Sequence, residues 1–211
     1  MTTILIERNL NGSALTFEFS DKWKVCKYDE QPFYDKIKNQ NLKAVDFMAL
    51  SKKVLLLMEV KYITATDENS KLRFYEDSDK NTLDEIKAKF THAQLKTVNI
   101  SSARPYLVDE VSKKIRDTLL GLFANYRREE TALSSYAKPL FTSNNQLISV
   151  LLFLERNTVL NQEENFKPLA SHLKLKIEQK LSFLGNIQVG VVNTLTLPPE
   201  LEIIVSAHSA I

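Results

Sequence analysis

Read along its apolar and polar positions, the chain opens with short alternating runs and continues with longer runs of helical period. Thr2–Arg8 and Ala14–Phe19 flank Asn11-Gly12, a dipeptide suited to the positive φ of a type I′ turn. They predict a hairpin that extends the edge of a sheet. Trp23–Asp29 alternates and predicts a short strand. Asp29 then reads as the cap of a helix with Pro32 in its first turn, running to about Asn39. Ala44–Leu50 and Val54–Tyr62, broken only by Ser51-Lys52-Lys53, predict a second hairpin. Between Ile63 and Ser101 the chain is polar, first a loop and then a short helix over Thr82–Phe90.

The clearest helix runs from Pro105 to about Arg127, with Leu107, Val111, Ile115, Thr118, Leu119, Leu122 and Tyr126 on one face. Arg128–Asn145 reads as a polar linker, and Gln146–Glu155 as a strand buried on both faces. A second amphipathic helix, Pro168–Leu184, is ended by Gly185 and followed by a strand over Ile187–Asn193. Strand, helix and strand in this order make a parallel, right-handed crossover. After Pro198-Pro199, Leu201–Ala207 reads as an edge strand. The sum is an α/β fold, a mixed β-sheet with helices on both faces. One domain over 1–211 is expected, with a hairpin at 1–20, a core at 24–195 and a C-terminal edge segment at 196–211.

Composition narrows the chemistry. The chain has 211 residues, 44% of them hydrophobic, enough for a substantial core. Its net charge of +2 demands no nucleic-acid partner by itself, so any basic surface must be local. The four glycines do not cluster, which disfavours a phosphate-cradling loop. One cysteine, Cys26, supports neither a disulfide framework nor a cysteine zinc site, and fits a reducing cytoplasm. His92, His172 and His208 match no metal spacing, and no G-x-S-x-G element is present. The opening MTTILIERNL meets charge almost at once, so no secretory leader is expected. No run approaches the roughly 18 apolar residues of a membrane span.

The second predicted hairpin carries charges that an apolar strand has no structural use for. Glu59 and Lys61 interrupt Val54–Tyr62, and burying a charge is costly unless it is paired or binds a metal. Side chains two apart in a strand share a face. If the turn spans Ser51 to Val54, Leu50 pairs with Leu55 and Asp46 lies opposite Glu59. Two facing carboxylates repel, and a hard divalent cation such as Mg²⁺ would relieve that. A one-residue slip would put the groups on opposite faces.

At these residues the chain resembles the PD-(D/E)XK nuclease superfamily. Asp46 stands for the first acid, Glu59 for the second and Lys61 for the lysine, with Val45 in the place of the usual proline. The resemblance covers roughly 24–63. It implies a restriction-endonuclease-like αβββαβ core, here preceded by the N-terminal hairpin. It also implies Mg²⁺, or Mn²⁺, held by Asp46, Glu59 and the backbone carbonyl of Val60. Lys61 would orient water or stabilise charge, or act as a base if its pKa were depressed. In such families the helix before the hairpin often adds an acid. Asp29 and Glu30 are the candidates, and a plain helix cap accounts for them equally well. Lys114 or Arg116 would contact phosphate, although the neighbouring acids favour an ordinary solvated face.

The expected activity is metal-dependent hydrolysis of phosphodiester bonds, in DNA before RNA, within a restriction, defence or repair system. The expected partners are nucleic acid and a second copy or a larger complex, with no membrane. The alternative is a binding subunit of the same fold that does not cut alone. A third reading leaves the hairpin charges coincidental.

Overall fold

The computed structural model describes residues 2–8, 14–63, 73–76, 80–97, 106–143 and 145–208. Alternation forms the first hairpin. Thr3–Arg8 (β1) pairs antiparallel with Ala14–Phe19 (β2), and Leu15, Phe17 and Phe19 of β2 are buried. The Asn11-Gly12 turn lies outside the described residues. Next come Lys24–Lys27 (β3), Pro32–Ile37 (α1), Phe47–Leu50 (β4) and Val54–Tyr62 (β5). The short helices Lys80–Lys87 (α2) and His92–Leu95 (α3) precede the long helix Leu107–Arg127 (α4). The chain continues through Ser134–Thr142 (α5), Leu147–Glu155 (β6), Thr158–Asn161 (α6), Glu163–Leu181 (α7), Ile187–Val192 (β7) and Ile203–His208 (β8).

These strands form two sheets. The larger has the order β3-β4-β5-β6-β7, antiparallel from β3 to β5 and parallel from β5 to β7. The β6–α7–β7 crossover accordingly joins parallel neighbours. The smaller sheet, β1-β2-β8, is antiparallel throughout. The N-terminal hairpin is therefore not an edge extension of the main sheet. It joins β8 in a second layer, because Phe17 presents its apolar face to Phe47 and Phe153, with ring centroids 5.2 and 5.0 Å apart. The C-terminal strand belongs to this layer, as its edge.

The main sheet therefore has different coverings on its two faces. Leu56, Met58 and Val60 of β5 pack toward β2 and β8, whereas Leu55 and Leu57 pack toward the helices. Every buried helical residue of the two cores lies on that second side, among the described residues. The expectation of helices on both faces is corrected: a sheet covers one of them. The expected αβββ order also differs, since α1 falls between β3 and β4.

Local differences have local causes. Asp29 does not cap α1; the N-cap is Gln31, with Pro32 following. The expected linker at 128–145 contains α5, anchored by buried Leu133, Tyr136 and Ala137 despite Pro139 inside it. Helix α7 begins at Glu163 and takes Pro168 into its interior, one missing N–H being outweighed by buried Phe166, Leu169 and Leu173. Gly185, at φ 78°, ends the turn that follows α7. No described helix is long and apolar enough to cross a membrane.

Helix α4 is locked against the sheet at several points. A Cβ on Gly121 would lie 2.1 Å from the Tyr28 hydroxyl, so only glycine permits this approach. Asp117 accepts the backbone N–H of Lys43 at 2.8 Å, and Thr118 accepts that of buried Val45 at 3.1 Å. The segment entering β4 is thus fixed to α4 one turn beyond Lys114.

Candidate metal and phosphate site

The hairpin register places the acids. Leu50 pairs with Leu55 and Phe47 with Met58, so the next step outward brings Asp46 opposite Glu59. Hydrogen-bonded pairing between β4 and β5 stops there. Asp46 replaces the missing backbone partner: its Oδ2 accepts the N–H of Val60 at 2.6 Å. The two strands therefore splay at a position capped by a carboxylate. Asp46, Glu59 and Lys61 all emerge on the side covered by α4.

From α4, Glu110 and Lys114 reach down onto them. Lys114 Nζ lies 2.5 Å from Glu59 Oε1 and 3.4 Å from Asp46 Oδ1. Lys61 Nζ lies 2.8 Å from Glu59 Oε1 and 2.6 Å from Glu110 Oε1. Arg73 pairs with the other oxygen of Glu110. The result is a chain of alternating charge: Arg73, Glu110, Lys61, Glu59, Lys114, Asp46. Glu59 is fully buried, and its Oε2 has no hydrogen-bond partner among the described residues.

Burial governs the electrostatics. It pushes the Glu59 carboxyl up to about 7, assisted by the negative charge of Asp46 and only partly offset by the two lysines. Burial also works against the ammonium of Lys114, but Glu59 and Asp46 outweigh it and hold Lys114 well above its ordinary value. Lys61 likewise rises, because Glu59 and Glu110 outweigh its desolvation. Glu110 is pulled upward by burial, yet Lys61, Arg73 and Lys114 hold it below the usual range.

The other expected residues divide. Glu30 turns to Lys27, at 2.9 Å. Partial desolvation raises the pKa of Asp29, and the charge of nearby Asp46 adds to it. Glu7 of β1 responds in the same way, with burial first and Asp46 second, and pairs with Lys27 at 3.3 Å. Lys114 is no solvated-face residue, since its ammonium is bound between the acids. Arg116, two residues on, points away and is exposed.

Sequence reasoning missed Glu7, Glu110 and Arg73. For Glu110 a signal existed: it stands three residues after Leu107 and four before Lys114, next to the apolar stripe. Lys114 lies on the same stripe, between Val111 and Thr118. A charge on the inward face of a helix needs a buried partner, and the hairpin supplies it.

Among the described residues, no group of three or more His, Cys, Asp or Glu side chains is arranged to hold a metal ion. Two carboxylates nonetheless suit Mg²⁺, which commonly takes one or two protein acids and completes its shell with water and phosphate. The unpartnered buried oxygen of Glu59 is consistent with a further cation. Compared with known proteins, the chain matches no family model, no curated sequence and no solved structure.

Proposed function

We propose that this chain is a metal-dependent nuclease, acting on the phosphodiester bonds of DNA. One observation carries the reading: Asp46, Glu59 and Lys61 converge on one face at the splayed end of a hairpin, as the nuclease motif requires. Support for a restriction-endonuclease-like core comes from the antiparallel β3-β4-β5 meander followed by α4 and a parallel β6. The placement of α1 after β3 departs from that pattern.

The residues have distinct tasks in this reading. Asp46 and Glu59 hold Mg²⁺, or Mn²⁺, through their carboxylates. The N–H and C=O of a strand residue point to the same side, so the carbonyl of Val60 faces the gap beyond β4 and is a further oxygen ligand. When bound, the ion supplies Lewis-acid polarisation of the phosphate and a water of lowered pKa. Lys61 is held cationic by Glu59 and Glu110, which favours charge stabilisation over a role as base. Glu110 positions Lys61, and Arg73 in turn anchors Glu110.

Glu59→Ala and Lys61→Ala should each lower Mg²⁺-dependent cleavage of duplex DNA by about a hundredfold or more, the scale expected for losing a group aimed at developing charge. Circular dichroism checks that both variants remain folded. Cleavage that persists in both sinks the proposal. One observation favours the second reading, a subunit that binds nucleic acid without cutting: Lys114 already fills the space between the acids. In that case the wild-type protein binds DNA, shows no metal-dependent hydrolysis, and gains activity only with a partner.

A further inference from the structure

We infer that Lys114 is the built-in counter-ion of the Asp46–Glu59 pair, and that a divalent cation enters only as the ammonium of Lys114 leaves. This rests on reading those acids as a metal site. The atoms carry the inference. Asp46 Oδ2 is committed to the Val60 N–H, which leaves Oδ1 as the oxygen facing Glu59. Lys114 touches that Oδ1, and it touches Glu59 Oε1 at the shorter distance. An ion held by both acids competes with Lys114 for Asp46 Oδ1 and for the space between the carboxylates, whichever oxygen of Glu59 it takes. Lys114 is the ammonium seated between both acids, so an ion there displaces it, whereas Lys61 touches only Glu59 of the pair and keeps Glu110 as a second anchor.

Movement is available to the side chain and not to the helix. Asp117, Thr118 and Gly121 fix the next turns of α4 against the sheet, as described above. The lysine stem, by contrast, has rotatable bonds throughout and a compact charge at its tip. Without metal, Lys114 keeps two buried acids from facing each other bare. With metal, it must find another acceptor, and its departure is a cost subtracted from metal affinity. Linkage makes the relation reciprocal: whatever draws the ammonium away, such as a phosphate oxygen, strengthens metal binding by the same factor.

The test is calorimetric titration of Mn²⁺ into the wild type, Lys114→Met, Lys114→Gln and, as a control on an exposed position of the same helix, Arg116→Met. Lys114→Met should bind Mn²⁺ about tenfold to a hundredfold more tightly, the range set by one hydrogen bond to a charged group that no longer has to break. Its metal-free melting temperature should fall and recover as Mn²⁺ is added. Arg116→Met should match the wild type. If Lys114→Met does not fold without metal, Lys114→Gln retains a neutral donor to Glu59 and carries the comparison, with a smaller gain. Equal or weaker Mn²⁺ binding in the folded Lys114 variants overturns the counter-ion role and leaves the metal site standing. No Mn²⁺ binding by any of the four, wild type included, overturns both.

Discussion

Glu59 shows how one residue can serve two opposed demands. Its position in β5 buries it completely, and burial favours the neutral acid. Its partners Lys61 and Lys114 favour the anion. The balance leaves its folded-state pKa at about 7, above the ordinary 4.5. A raised acid binds its proton more tightly in the folded than in the unfolded chain. The stabilisation it brings is complete below about 4.5 and is lost as pH rises through about 7. Thermal melts at pH 4.5 to 8 should therefore show the wild type losing stability relative to Glu59→Gln, whose amide cannot ionise. A difference between the two that is flat across this window would contradict the account.

At the scale of elements, the site depends on how closely α4 approaches the sheet. The helix presents Glu110 and Lys114 one turn apart, and its depth is set at Gly121 against Tyr28. Gly121→Ala should cost about 1–3 kcal/mol in urea unfolding, the usual range for overpacking. In a Tyr28→Phe background the hydroxyl is gone, and the new Cβ meets the nearest ring carbon at 3.4 Å and the flexible tip of Ile37, its Cδ1, at 3.1 Å. There the same change should be close to neutral, because alanine regains about 1 kcal/mol of helix propensity over glycine. Additive costs in the two backgrounds would show that something other than this contact sets the helix depth. The hairpin makes the complementary contribution: its short turn, with Ser51 donating its N–H to the Val54 carbonyl at 2.9 Å, sets the register that places Asp46 opposite Glu59.

On the scale of the whole molecule, the five-stranded sheet separates two kinds of work. The helical side carries the Asp46, Glu59, Lys61 and Lys114 cluster, and the core under β1-β2-β8 is apolar, with Phe17 wedged between Phe47 and Phe153. Phe17→Ala should destabilise the fold by about 3–5 kcal/mol, the cost of a large aromatic cavity. Chemical denaturation measures it. The acids and lysines lie on the opposite face, so Mn²⁺ affinity of the folded fraction should be unchanged. A parallel loss of metal binding in native conditions would show that the two faces are coupled.

The strand and helix series was legible because each element writes its own period. Alternation in Ala14–Phe19, the apolar run of Leu147–Glu155 and the stripe of Leu107–Arg127 are local properties of the chain. So was the hairpin register, since a short polar turn between two apolar runs leaves few ways to pair them, and with it the shared face of Asp46, Glu59 and Lys61. The stacking of a separate three-stranded sheet was not legible, because an alternating strand reads the same whether it extends a sheet or covers one. The helix at 134–142 was hidden by Pro139 and by a polar face, and buried Tyr136 and Ala137 acquire meaning only against their neighbours. Lys114 and Glu110 are distant in sequence from the hairpin, and a helical charge reads as solvated until something packs over it. Sequence fixes which side of an element each group occupies; only the tertiary structure decides what faces it, because that depends on how closely two elements that share no local pattern can approach.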